Sequence, residues 1–233
     1  MNDERVPNSK TILEKWGVDM AMLSGLIEAN GSLRGVVLGY VAEAKFHNQM
    51  MEIPGITDLG KDDDHDRKKK GDRRIQYRGE EFKIEVKSLQ TNSVKQLSDG
   101  TFVGKSQVDA SDRRHVTLPN GSQLETTCLV AGEFDVLVVN AFAFDGTWRF
   151  LYAINEDLPR SKAKKYTPEQ KEHLLATLVP VQWPLAEEDI FTTDLESLLD
   201  RIIEKRQAPP GGTASEVSII EEPDGDIIIA TEN

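Results

Sequence analysis

Apolar and polar positions change their period several times along the chain. From Arg73 to Ser88 they alternate, with Phe82, Ile84 and Val86 set against Lys83, Glu85 and Lys87. A period of two predicts strands at Arg73 to Tyr77 and Phe82 to Ser88, joined through the Arg78-Gly79 turn into a β-hairpin. Upstream the spacing is helical. A helix capped by Asn8 or Ser9 is expected through Ile12, Leu13 and Trp16 towards Ile27. After Asn30-Gly31, the positions Leu33, Val36, Val37, Tyr40, Val41 and Ala44 form the apolar stripe of a second helix. Gly55 to Lys70 reads as a solvated loop leading into the hairpin, and Thr91 to Asp99 as a loop or short helix.

Beyond the hairpin, Pro119-Asn120-Gly121 marks a turn between Val116 to Leu118 and Gln123 to Val130. The near-continuous apolar run Phe134 to Phe144 and the segment Trp148 to Ile154 meet at Asp145-Gly146. They are the strongest strand pair and are expected in the interior of a sheet. Thr167-Pro168-Glu169 predicts a helix carrying Leu174, Leu175 and Leu178 and stopped by Pro180. A last helix, from about Asp194 to Arg206, presents Leu195, Leu198, Leu199, Ile202 and Ile203 either to the core or to a second subunit.

Composition narrows the setting. A chain of 233 residues can bury a real core. We expect one domain over residues 1–206, its centre at about 33–160. The Pro209-Pro210-Gly211-Gly212 linker follows, within an acidic tail (207–233) expected to be disordered. The polar start and the lack of a long apolar run predict no signal peptide and no membrane span, hence a soluble cytoplasmic protein. The single cysteine, Cys128, agrees with a reducing compartment and is expected as a small buried residue.

The net charge of −12 argues on average against nucleic acid, but it is unevenly spread: Arg67 to Arg114 holds 13 Lys and Arg against 7 Asp and Glu. That basic zone encloses the predicted hairpin, where a polyphosphate would be held. Strand alternation places Glu85 and Lys87 side by side, with Asp72 able to lie across from them on the partner arm. Two carboxylates suit a hard divalent cation, and a neighbouring lysine can help an attacking water. A solvated, charged hairpin face would show the same alternation. The run from Asp62 to Asp66 is not a calcium loop of the EF-hand kind, since Arg67 stands where that loop needs glycine. The four histidines, at 47, 65, 115 and 173, are too scattered to suggest a metal site by spacing.

Asp72 followed by Glu85-Val86-Lys87 across a hairpin resembles the core of the PD-(D/E)XK, or restriction-endonuclease-like, nucleases; Gly71 stands where many members have proline. The resemblance implies an α/β fold with a restriction-endonuclease-like core, a central mixed β-sheet flanked by helices. It implies metal binding by Asp72, Glu85 and the Val86 carbonyl, with Lys87 assisting the water. Many relatives carry a glutamate on the helix before the hairpin that supports the metal, and Glu43 matches that placement; an ordinary helix-edge glutamate is the equal alternative. The implied cofactor is Mg²⁺, with Mn²⁺ as substitute. In-line attack of water on a phosphodiester of double-stranded DNA would leave a 5′-phosphate and a 3′-hydroxyl.

Gln107, Arg113 and Arg114, in a segment dense in polar side chains, are candidate DNA contacts, as are Lys68, Lys69 and Lys70. The chain has no helicase or separate DNA-binding module, which favours a restriction endonuclease of a prokaryotic restriction-modification system. Such an enzyme would be a candidate homodimer, with a cognate DNA methyltransferase as companion. A repair nuclease or junction resolvase on the same fold is the alternative, and an inert DNA- or protein-binding module a third reading.

Overall fold

The computed structural model describes residues 10–61 and 72–208. The expected cap at Asn8 or Ser9, the run from Asp62 to Gly71 with Lys68, Lys69 and Lys70, and the tail after Ala208 lie outside the described residues.

Five strands form the central sheet: β1 (Ile56–Gly60), β2 (Arg73–Tyr77), β3 (Glu80–Ser88), β8 (Val136–Asn140) and β9 (Phe150–Ile154), in that order. The pairs β1 with β2, β2 with β3 and β8 with β9 are antiparallel, and β3 with β8 is parallel, so the sheet is mixed. The β2–β3 hairpin forms where alternation predicts it. Its turn residues Arg78 and Gly79 have φ of 49° and 86°, the left-handed pair that a two-residue hairpin with right-handed strand twist requires. A parallel neighbour needs a crossover, and the β3-to-β8 crossover carries the remaining strands. These are β4 (Lys95–Gln96), β5 (Phe102–Gln107), β6 (Asp109–Thr117) and β7 (Gln123–Cys128). β5 sits between β4 and the later β10 (Leu178–Trp183) in a three-stranded sheet, while β6 and β7 make a separate hairpin.

The sheet is covered on both faces. One face, with Ile75, Tyr77, Phe82, Ile84, Val138 and Tyr152, packs against Phe46 and Met50 of α3 (Gly31–Met50) and against Leu195, Leu198, Leu199 and Ile202 of α5 (Leu195–Gln207). α5 starts at the Asp194 cap, which accepts from the Ser197 N–H at 3.0 Å, and its apolar face goes to the core. The opposite face, with Leu137, Val139 and Leu151, packs against Val179 and Val181 of the three-stranded layer and against Val108 between β5 and β6. This is a mixed α/β fold with a central mixed sheet flanked by helices, the class expected from the sequence. Among the described residues no helix is long and apolar enough to cross a membrane.

Several elements differ from expectation. The first helix is two: α1 (Ile12–Trp16) is closed by Gly17 in the left-handed conformation, and α2 (Met20–Ala29) restarts at the Asp19 cap. The predicted stripe on α3 does not face the core. Val36 and Tyr40 are exposed, and the buried positions are Ala42, Phe46 and Met50 on another side, where the helix meets the sheet. Ile56–Gly60, expected as loop, is strand β1.

The helix predicted through Leu178 ends early: α4 is only Pro168–His173, and Leu178–Trp183 is β10. There Val179 and Val181 are buried while Leu178 and Pro180 are not, so a period of two prevails, and an edge strand tolerates Pro180. β9 lies at the sheet edge rather than inside it. It is still buried throughout, because Tyr152 and Thr192 exchange backbone hydrogen bonds of 2.8 and 2.9 Å across that edge.

Leu199 is fully buried between α5 and the sheet. Leu199→Ala is expected to lower unfolding free energy by about 2–5 kcal/mol, whereas Leu97→Ala, at an exposed loop position, should change it by less than about 0.5 kcal/mol. Urea titration of both variants checks the difference.

Candidate active site

Asp72 immediately precedes β2 and continues its ladder, its N–H donating to the Ile84 carbonyl at 2.8 Å. Its carboxylate folds back onto β3 and accepts from the Val86 N–H at 2.7 Å. On β3 the pleat sends Ile84 and Val86 towards the helical core and Glu85 and Lys87 to the other face. Glu85 is 8% exposed, and its Oε1 lies 2.8 Å from the Lys87 ammonium. Asp72, Glu85 and Lys87 therefore come together as the hairpin pattern implies, with the Val86 peptide between the latter two.

The electrostatics follow from this crowding. Burial, and then the Asp72 carboxylate, push the Glu85 carboxyl above its usual range, and Lys87 only partly offsets them. Burial alone would lower the Lys87 ammonium, but Glu85 and Asp72 outweigh it and hold its affinity for a proton above the ordinary value. A half-dry site with two carboxylates and one ammonium has room in its charge balance for a cation. The donors are all oxygens, which fits a hard ion such as Mg²⁺ that keeps waters and takes phosphate oxygens.

Glu43 is ion-paired on α3. It accepts from Lys61 at 2.8 Å, and one turn further along α3 His47 lies 3.1 Å from Asp58, which also pairs with Arg73. These contacts pin the polar edge of α3 to β1. Among the described residues no three or more His, Cys, Asp or Glu side chains converge on a metal-sized site.

The candidate DNA contacts separate. Gln107, at the exposed end of β5, accepts from the Gln90 side-chain amide at 2.9 Å, just beyond the end of β3. Arg113 is exposed, within a register irregularity of β6 between Asp109 and Arg114 that redirects the side chains there. Arg114 turns inward instead. It grips Glu133 with both terminal nitrogens and donates to the Cys128 carbonyl at 3.2 Å, while Glu133 also accepts from the Val130 N–H at 2.8 Å. Its guanidinium is consumed in tying the β6–β7 hairpin to the lead-in of β8, not left open for DNA. Cys128 is buried beside Tyr166, as its apolar surroundings predict.

Sequence reasoning missed two neighbours of the site. Glu133 adds to the field on Glu85, and Asp109 to that on Lys87. Only the crossover topology brings them near, and no spacing signalled them.

No family model and no curated protein matches the chain. Among solved structures, a bacterial homing endonuclease, I-Ssp6803I, is similar over 61% of this chain and 87% of its own, at 18% identity and a TM-score of 0.31.

Breaking the Arg114 and Glu133 pair should destabilise the protein. Because both side chains are mostly but not fully covered, Arg114→Met is expected to cost about 2 kcal/mol. Adding Glu133→Gln should recover part of that loss, as a double-mutant cycle in denaturant will show.

Proposed function

We propose that the chain is a Mg²⁺-dependent DNA endonuclease of the PD-(D/E)XK type, acting as a restriction enzyme. The observation that carries this reading is the single cluster of Asp72, Glu85 and Lys87, held by the β2–β3 register and set within the most basic part of an acidic chain. Asp72, Glu85 and the Val86 carbonyl would hold the ion, which would offset charge developing on the phosphate. Lys87 orients the attacking water, and its positive charge favours loss of a proton from that water. Asp72 stays aimed at the site because the Val86 N–H fixes its other oxygen. Gln107 and the exposed Arg113 would contact the duplex. A cognate methyltransferase would protect host DNA.

Incubation of the protein with a mixed-sequence plasmid and Mg²⁺ is expected to give discrete fragments, and EDTA should abolish them. Asp72→Asn and Lys87→Ala should each slow cleavage by at least about 10²-fold with the far-ultraviolet spectrum unchanged. Smearing in place of discrete bands would favour a repair nuclease. Wild-type rates from Lys87→Ala would overturn the assignment of the site.

A further inference from the structure

Residues 10–41 bury almost nothing. Neither α1 nor α2 has a buried residue, and burial on α3 begins only at Ala42. What this arm shows to water is apolar: Trp16 is 66% exposed, Val36 56% and Tyr40 58%, with Met22, Leu26 and Leu33 also open. On α3, Leu33, Val36, Val37, Tyr40 and Ala44 recur at the three- and four-residue intervals of a helix-packing seam. The seam that sequence assigned to the core is intact; among the described residues the strands bury none of its side chains, and the Lys61 ammonium lies 5.3 Å from the centre of the Tyr40 ring. Elsewhere round the same helix, Gly35 and Gly39 meet nothing within 4 Å where a side chain would begin. Glycine inside a helix is disfavoured unless a close approach makes use of it.

We infer that this arm is a self-association surface, on which the helices of a second copy of the chain dock. Its exposed apolar side chains run from Ile12 on α1 through Met22 and Leu26 on α2 to Val36 and Tyr40 on α3, a surface of the extent from which an interface of ordinary size takes ~800 Å² per partner. Charge favours the same occupant. Residues 10–42 carry three Lys or Arg and three Asp or Glu. In a chain of net −12 the arm is therefore a neutral patch, and a symmetric contact places like on like without repulsion.

The acidic segment after Gln207 is a poorer fit. It has six acids and no Lys or Arg, finds no excess positive charge on the arm, and offers only the short apolar pieces Ile219-Ile220 and Ile227 to Ile229. A membrane surface is a poorer fit too, because interfacial helices carry an excess of Lys and Arg that the arm lacks.

Sedimentation velocity of the full chain over a hundred-fold concentration range tests the inference without DNA or metal, so its outcome is separate from that of the nuclease reading. A species of twice the chain mass is expected. Val36→Glu with Tyr40→Glu should raise its dissociation constant by at least about 100-fold, with an unchanged circular dichroism spectrum. Should the charged pair impair folding, Val36→Gln with Tyr40→Gln reads the same contact. A single-mass wild type at every concentration would overturn the inference, as would a dimer indifferent to both variants. Association that emerges only after removal of residues 209–233 would also overturn it, and would assign the arm to the tail.

Discussion

The register of β3 between β2 and β8 is the constraint on which the rest depends. One pleat sends Phe82, Ile84 and Val86 into the helical core and Glu85 and Lys87 to the opposite face. A slip of one residue would exchange them, placing a carboxylate and an ammonium against α3 and α5 and turning the isoleucine and valine out. Core and site are thus specified by the same hydrogen bonds. The Asp72 carboxylate on the Val86 N–H adds to that specification, since it couples the start of one strand to the charged face of the other.

The two faces of the sheet divide the work. The helical face is closed and apolar, with α5 laid across it and Tyr77 and Tyr152 buried there. The other face is apolar only where the three-stranded layer covers it, and polar where β3 runs towards the β5–β6 junction. Lys87 stands beside Glu85 there and offsets part of the cost of burying it. The β6–β7 hairpin is fastened on its inner side through Arg114 and Glu133, while Arg113 remains exposed.

Local reading of the chain settled the elements whose period is unbroken and whose turn chemistry is unambiguous. The β2–β3 hairpin, the Pro119-Asn120-Gly121 turn, β8, α5 and the trio Asp72, Glu85 and Lys87 were legible because strand alternation and a two-residue turn determine which side chains share a face. Leu178 to Trp183 was not legible. Leu178 continues the helical spacing of Leu174 and Leu175, and only pairing with β5 makes the segment a strand.

Tertiary structure alone decided the partners. Glu43 goes to Lys61, Arg114 to Glu133, and Asp109 and Glu133 come near the site, because sequence separation says nothing about which charges a crossover will bring together. It also decided the fate of the α3 stripe. Periodicity reveals that a helix has an apolar face but not what lies opposite, and here the sheet meets the helix only from Ala42 onward. Amphipathicity is a property of the chain, whereas burial is a property of what the chain finds to pack against.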